Sequence, residues 1–209
     1  MTTLTNRSIS LSILFLHLTD HLLTNKYHVM CTGPTGTGKT INIEQFLKKH
    51  VSAKYVPLIT GFSAQTSAND AQAFLDSKME KRKKGVFGPS AGKEYLIFVD
   101  DFNMPQREEY GAQPPVELIR QAIGQEGWYD TKTLEFRKII DCTYIMAMGP
   151  PGGGRNPITE RVKRLCNVIG YVEMEESSQK IIFNAILGHF LDKFEKDVAK
   201  QASAVVDAT

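Results

Sequence analysis

The chain has 209 residues, of which 42% are hydrophobic and 23% are charged, a composition typical of a globular domain rather than a disordered chain. Its 25 basic residues nearly balance its 23 acidic ones, so the net charge of +2 gives no electrostatic basis for nucleic acid as the main partner. The three cysteines, Cys31, Cys142 and Cys166, match neither a disulfide framework nor a metal site, which favours reduced thiols in a reducing compartment.

The first predicted element is an apolar N-terminal helix. Its hydrophobic side chains follow helical spacing at Ile9, Ile13, Leu16, Leu18, Leu22 and Leu23. The segment loosely resembles a signal peptide, but no small-residue cleavage site follows it, and Asp20 and His21 interrupt its apolar character. It is also too short to span a membrane. We therefore expect a helix that packs on the core, and no membrane association.

Extended and helical patterns alternate over the next part of the chain. They predict a strand at 27–32, a helix at 41–50, a strand at 55–59, a helix at 70–83, a hairpin or loop at 86–92 and a buried strand at 95–99. Pro57 weakens the second of these strands, since proline cannot donate to a sheet. The basic run at 81–84 is interpreted as a solvated helix end rather than a nucleic-acid patch.

The alternation continues to residue 174. The patterns predict a helix at 115–123, a strand at 143–148, a glycine-rich loop at 150–157, a short helix at 159–165, a strand at 167–174, further helix from residue 175, and a frayed tail after residue 200. Strands that alternate with helices favour a mostly parallel central sheet covered on both faces. The predicted fold class is therefore α/β, with three layers.

A glycine-rich motif, GPTGTGKT at 33–40, matches GxxxxGK[ST] at every fixed position. The glycines let the backbone turn so that N–H groups face phosphate oxygens, Lys39 can reach the β- and γ-phosphates, and the Thr40 hydroxyl can bind Mg²⁺. A chance glycine-rich turn is the alternative, but the flanking strand and helix favour a phosphate loop. The predicted ATP or ADP site comprises Gly33, Pro34, Thr35, Gly36, Thr37, Gly38, Lys39 and Thr40.

A pair of acidic residues follows the buried strand at 95–99. Asp100 and Asp101 stand at its carboxyl end, where ligands of α/β sheets bind. We expect Asp100 to hold Mg²⁺ through water, and Asp101 to occupy the position where hydrolytic P-loop proteins carry the residue that orients water. An ordinary acidic turn is the alternative, and the phosphate loop argues against it.

Several motifs together resemble one known family. Besides the phosphate loop they are GFSAQTSA (61–68), KGVFGP (84–89), FVDDFNMP (98–105), YGAQPPVELIRQ (110–121), GWYD (127–130) and MGPPGGGRNPITER (148–161). The set resembles the third AAA+ module of a dynein heavy chain, and MGPPGGGRNP is characteristic of axonemal rather than cytoplasmic forms. FVDDFNMP with YGAQPP is the most specific combination. The segment at 128–130 is expected on a hairpin inserted before the fourth strand.

The resemblance implies a fragment of a very large motor, in which six AAA+ modules form a ring and the third is regulatory. It implies an AAA+ P-loop α/β subdomain at 1–174, with a partial helical lid and tail at 175–209. The implied partners are neighbouring AAA+ modules, other dynein subunits and, through parts of the motor outside this chain, microtubules. The implied location is the cytoskeleton of the cytoplasm, in the axoneme of a cilium or flagellum.

The resemblance also assigns roles to individual residues. Lys39 and Thr40 match the phosphate-loop lysine and the Mg²⁺-binding hydroxyl, and Asp100 matches the metal-site aspartate. Asp101 stands where the family has its catalytic glutamate, and its side chain is one methylene shorter. The polar sensor of the fourth strand is expected near Gly149, which has no side chain. Weak hydrolysis with intact ATP binding is therefore expected.

Two arginines match the arginine-finger region of the family, which reaches the nucleotide of the neighbouring module. Arg161 and Arg164 lie three positions apart on a predicted helix, and so on nearly the same face. Ordinary surface arginines are the alternative.

Three functions agree with these residues. The first is a regulatory nucleotide-binding module, the second is an active ATPase with Asp101 as base, and the third is a structural module that holds nucleotide permanently. The phosphate loop and Asp100 fit all three, whereas Asp101 and Gly149 count against the second. Nucleotide off-rates in the intact ring would separate the first from the third.

Overall fold

The computed structural model describes residues 2–49, 51–191, 193–194 and 201–208, with side chains from residue 13 onward. One unit comprises residues 16–172, and the other combines the residues before 16 with those from 173 onward. His50, the last residue of a predicted helix, and the side chain of Ile9 lie outside the described part. Within the described residues, no helix combines the length and the apolar character needed to cross a membrane.

In chain order the helices are α1 (Thr2–Thr24), α2 (Lys39–Lys49), α3 (Ala68–Lys78), α4 (Pro114–Gly124), α5 (Glu160–Lys163), α6 (Glu176–Leu191) and α7 (Ala202–Asp207). The strands are β1 (Val29–Thr32), β2 (Tyr55–Gly61), β3 (Glu80–Lys83), β4 (Val86–Gly88), β5 (Glu94–Asp100), β6 (Gly127–Tyr129), β7 (Phe136–Ile139), β8 (Cys142–Met148) and β9 (Asn167–Gly170).

The main sheet has the strand order β2-β5-β8-β1-β9, and every neighbouring pair is parallel. Successive side chains of a strand point to opposite faces, yet Leu96, Ile97 and Phe98 of the interior strand β5 are all at most 1% exposed. Helices therefore cover both faces, which confirms the predicted three-layer α/β fold with a parallel central sheet. Pro57 lies in β2, an edge strand, where a missing N–H group is tolerated.

The helices of the larger unit bury separate apolar sets. Leu75 of α3 and Ile119 of α4 belong to one continuous cluster that also contains Trp128. Helix α2 buries Ile43 and Phe46 outside that cluster. Burial of one such side chain stabilises the fold by about 1.5–3 kcal/mol, so this packing holds the helix that follows the phosphate loop firmly on the sheet.

A second sheet, with strand order β3-β4-β7-β6, corrects the helix predicted at 70–83. Helix α3 ends at Lys78, and most of the basic run at 81–84 lies in β3, which forms an antiparallel hairpin with β4. The four residues of β3 are exposed and include no apolar side chain that could continue the buried face of α3.

The hairpin expected around residues 128–130 is confirmed as β6 and β7, which pair antiparallel before β8. The Trp128 side chain is fully buried, and its indole N–H donates to Asp76 of α3 at 3.0 Å. This bond anchors the inserted hairpin to a helix of the main core.

Several boundaries differ from the sequence-based expectation. The first strand begins at Val29 rather than at residue 27, and the last ends at Gly170 rather than at residue 174. The tail after residue 200 includes the short helix α7, where fraying was expected. Local pattern alone does not fix such ends, because strand ends depend on where the neighbouring strand stops.

The N-terminal helix is confirmed as α1, but its expected packing is only partly correct. Leu23 is 3% exposed, whereas Ile13 is 60% exposed and Leu18 is 41% exposed. Among the side chains that the structure describes in α1, Leu23 near the C-terminal end is the hydrophobic one that is buried. The three cysteines are free, as predicted.

Candidate nucleotide-binding site

The glycine-rich loop joins the carboxyl end of β1 to the first turn of α2. A Cβ at Gly33 would overlap the Tyr171 carbonyl oxygen and lie 2.8 Å from the Tyr171 Cβ, so only glycine fits against the end of the neighbouring chain segment. Gly36 and Gly38 have φ angles of 83° and 76°, which residues with a side chain rarely adopt. The loop therefore has its shape because glycine stands at these three positions.

Lys39 curls back over this loop. Its Nζ donates to the carbonyl oxygens of Gly33 at 2.7 Å and Pro34 at 2.6 Å, and lies 3.3 Å from the Thr37 hydroxyl. The residue is 9% exposed, and burial, followed by the charge of Arg155, lowers the pKa of the ammonium group. The direct partners of this buried cation are carbonyl and hydroxyl oxygens, which makes it a natural partner for an anion.

The backbone N–H groups of the loop are also available as hydrogen-bond donors. Among the described residues, those of Thr35, Gly36, Thr37 and Gly38 have no hydrogen-bond acceptor. They lie beside the N-terminus of α2, where the helix dipole also favours negative charge. Free amides, a buried lysine and a helix N-terminus together fit a chain of phosphates.

Two carboxylates stand across from the loop, at the carboxyl end of β5. The Asp101 N–H donates to Asp100 Oδ1 at 2.9 Å, which orients the Asp100 carboxylate. Asp101 has a φ of 47° and a side chain that is 45% exposed. A non-glycine residue in this left-handed region is uncommon and tends to occur at functional sites.

Arg155 reaches the same place from the loop after β8, and sequence reasoning missed it. Its Nη2 lies 3.1 Å from Asp101 Oδ1, and its side chain is 24% exposed. A Cβ at Gly149 would lie 2.7 Å from the Arg155 Cδ, so the absent side chain at Gly149 leaves the space that the guanidinium fills. The available signal was a lone cation in a loop that follows a buried strand.

Hydrogen bonds fasten the loop after β8 to the loop after β5. Asn103, which is 1% exposed, donates from its side-chain Nδ2 to the Gly149 carbonyl at 2.8 Å. Its backbone carbonyl accepts from the Asn156 N–H at 2.9 Å. Asn156 Nδ2 donates to the Pro105 carbonyl at 2.9 Å. The two loops are therefore joined by several bonds, not only by the pair of Arg155 and Asp101.

These groups line one cavity of about 270 Å³. Its walls are formed by Thr35, Gly36, Gly38, Lys39, Thr40, Ile41, Asp100, Asp101, Met148, Gly149 and Arg155. Of the predicted site residues, Gly33, Pro34 and Thr37 shape the loop but do not line the cavity. The volume lies just below the range of about 300–1,000 Å³ for drug-sized ligands, which suits a phosphate chain with its cation.

The residues present fit Mg²⁺. The Thr40 hydroxyl and the Asp100 carboxylate both face the cavity, and Mg²⁺ typically takes one or two carboxylates, waters and substrate phosphates. No cluster of three or more His, Cys, Asp or Glu side chains that could hold a metal occurs in the part of the chain that the structure describes. The donor set therefore suits a cation that arrives with phosphates rather than one held by protein ligands alone.

The two arginines assigned to the finger region lie elsewhere. Arg161 is in α5, which is a single turn, and Arg164 is the residue that follows it. Both are exposed, and neither lines the phosphate cavity. Their guanidinium groups have no ion-pair partner among the described residues.

Comparison with known proteins gives consistent matches. Residues 9–174 match a family model described as the P-loop containing dynein motor region. The chain is 52% identical over 177 residues to human dynein axonemal heavy chain 1, 43% identical over 194 residues to human dynein axonemal heavy chain 6, and 43% identical over 188 residues to human dynein axonemal heavy chain 3. These matches cover 84%, 92% and 90% of this chain, but only 4%, 5% and 5% of the relatives' own lengths.

Proposed function

The chain belongs to the family of P-loop containing dynein motor regions, and we propose that it is the third AAA+ module of an axonemal dynein heavy chain, with a regulatory nucleotide site. The whole motor, its microtubule track and its neighbouring modules enter this proposal only through the relatives, since the chain spans 4–5% of their length. The axonemal relatives support a location in a cilium or flagellum.

One observation carries the proposal of nucleotide binding. The free amides at 35–38, the Lys39 ammonium, the Thr40 hydroxyl and the Asp100 carboxylate converge on one cavity, although they come from separate parts of the chain. The amides and Lys39 would hold the phosphates of ATP or ADP, while Thr40 and Asp100 would hold Mg²⁺. When bound, Mg²⁺ supplies positive charge that neutralises phosphate oxygens.

Two features support regulation rather than rapid turnover. The Asp101 carboxylate, at the position expected to orient water, is paired with Arg155 at 3.1 Å, and its side chain is shorter than a glutamate. Gly149 offers no polar side chain to a phosphate. A site that binds ATP and hydrolyses it slowly can hold one ring geometry for a long period, which is what a regulatory module requires.

Arg161 and Arg164 complete the proposal as residues that act on the neighbouring module. They are exposed and lie away from their own phosphate cavity, so they are available to another nucleotide site. A cation near a γ-phosphate offsets the negative charge that develops there.

The test is equilibrium binding of a fluorescent ATP analogue with Mg²⁺. Lys39→Ala should reduce affinity by about a hundredfold or more, because it removes the buried cation beside the phosphates. Lys49→Ala is the matched control, since Lys49 is an exposed lysine of the same helix. Equal affinities for wild type and Lys39→Ala, with both folded by circular dichroism, would falsify the proposed site.

A further inference from the structure

Arg155 holds an unusual position in the phosphate cavity. It lines the cavity together with residues of the glycine-rich loop, and its Nη2 pairs with Asp101 at 3.1 Å. Its Nε is buried and has no hydrogen-bond partner among the described residues. A guanidinium has five N–H donors, and this one lines the cavity, so it has capacity for a second acceptor.

Two cations line the cavity beside the carboxylates of Asp100 and Asp101. Lys39 and Arg155 line it together, and the charge of Arg155 lowers the pKa of Lys39, second to burial. The Asp101 carboxylate accepts from Arg155, and its side chain is 45% exposed, so solvent weakens that pair. A phosphate between the two cations would be attracted by both.

Backbone hydrogen bonds hold Arg155 in place, whereas its side chain can exchange one hydrogen-bond acceptor for another. The N–H and C=O groups of Arg155 and Gly152 bond each other at 2.9 and 3.0 Å, which closes a small turn. The three glycines in that turn, at 152–154, all have positive φ. Gly149 leaves open the space through which the side chain passes.

We propose that Arg155 binds the γ-phosphate of a nucleoside triphosphate in this cavity and leaves Asp101 to do so. The inference rests on the proposed nucleotide site. A guanidinium can donate two parallel hydrogen bonds to phosphate oxygens, which a single contact with an exposed carboxylate does not match. With a diphosphate, Arg155 stays on Asp101. Arg155 therefore gives the module its preference for triphosphate over diphosphate.

The move of the Arg155 side chain from Asp101 to a phosphate also changes the contacts between two loops. Arg155 belongs to the loop at 149–157, which Asn103 and Asn156 bond to the loop at 101–107. When the side chain moves from Asp101 to a phosphate, the direct ionic link between these loops is broken while the amide bonds remain. A triphosphate thus changes the restraint on both loops, and a diphosphate does not.

The test is calorimetric titration of the full chain with ATPγS and with ADP, each with Mg²⁺. Wild type should bind ATPγS more tightly than ADP. Arg155→Ala should reduce this preference about tenfold or more, because one charge-assisted, bidentate contact is lost for the triphosphate only. Arg155→Lys keeps the positive charge but lacks the planar group that donates two parallel hydrogen bonds, so it should show an intermediate preference for ATPγS over ADP. Arg82→Ala, which removes an exposed arginine of β3 outside the cavity, is the matched control and should match wild type.

A second measurement does not depend on affinity. Hydrogen exchange of residues 149–157 should respond to ATPγS but not to ADP in wild type, and should respond alike to both in Arg155→Ala. If Arg155→Ala does not fold, Arg155→Lys carries the same test. Equal losses for both nucleotides, or none, would overturn the role of Arg155. Failure of wild type to bind either nucleotide would instead overturn the proposed site itself.

Discussion

The glycine-rich loop and the edge formed by Asp101 and Arg155 line the same cavity, but they are built differently. Within the loop, Lys39 bonds carbonyl groups five and six positions away, and the Thr37 hydroxyl bonds Pro34 three positions away. Its shape is set by its own sequence, together with the strand and helix on either side. Such an element needs few distant contacts besides the close approach of Gly33 to Tyr171, and it can bind the phosphates of any nucleotide.

The opposite edge is assembled from distant parts of the chain. Arg155 and Asp101 are 54 positions apart, and Asn103 lies 46 positions from the Gly149 carbonyl that it bonds. Its geometry depends on β5 and β8 lying side by side in the sheet. A contact between two loops can form or break as a unit. We therefore expect the edge formed by Asp101 and Arg155 to respond to which nucleotide is bound, whereas the glycine-rich loop holds the nucleotide.

The largest effect is expected from a substitution that disrupts the glycine-rich loop and leaves the edge formed by Asp101 and Arg155 intact. Gly33→Ala should destabilise the fold by about 1–3 kcal/mol and abolish ATP binding, because the new Cβ overlaps the Tyr171 backbone. Gly170→Ala is the matched control, since a Cβ there meets nothing within 4 Å. Urea denaturation and nucleotide titration check both variants. A stable Gly33→Ala variant with unchanged affinity would show that the close approach to Tyr171 is not needed.

A smaller effect is expected at the opposite edge. The chain alone should hydrolyse MgATP far below the usual enzyme median of about 10 per second, because the Asp101 carboxylate is short and held by Arg155. Asp101→Glu should not lower the residual rate, and Glu109→Ala, an exposed acid of the same loop region, should leave it unchanged. Turnover by phosphate release is the measurement. Ordinary enzyme rates that Asp101→Ala removes would establish an active ATPase instead.

The smallest effect is expected outside both regions. Arg161→Ala and Arg164→Ala should leave the ATP dissociation constant of this chain unchanged, because neither residue lines its cavity. In a longer chain that also carries the preceding module, each should change that module's response to nucleotide. Loss of ATP binding in the short chain, without unfolding, would mean that these arginines act on their own site. If neither the ATP dissociation constant nor the nucleotide response changes in either chain, the two arginines are ordinary surface charges.

The same contrast explains what could be predicted from sequence. The phosphate loop, Asp100 and the buried strands were predictable, because motif and hydrophobic period are local signals. The contact of Arg155 with Asp101 was not, since it depends on strand order and on the missing side chain at Gly149. The helix at 70–83 was predicted too long for a related reason. Its last four residues form β3, which pairs with β4, and that pairing is a tertiary effect which helical periodicity cannot show.

The most direct test of the proposed nucleotide site is a crystal structure of the chain with Mg²⁺ and ATPγS. Phosphates should lie between the amides at 35–38 and Arg155, with Mg²⁺ beside Thr40 and Asp100. Lys39 Nζ should have left the carbonyl oxygens of Gly33 and Pro34, which it contacts at 2.7 and 2.6 Å, to bind the phosphates. Nucleotide bound outside this cavity, or phosphates in the cavity with Lys39 still on those carbonyls, would contradict the proposed site.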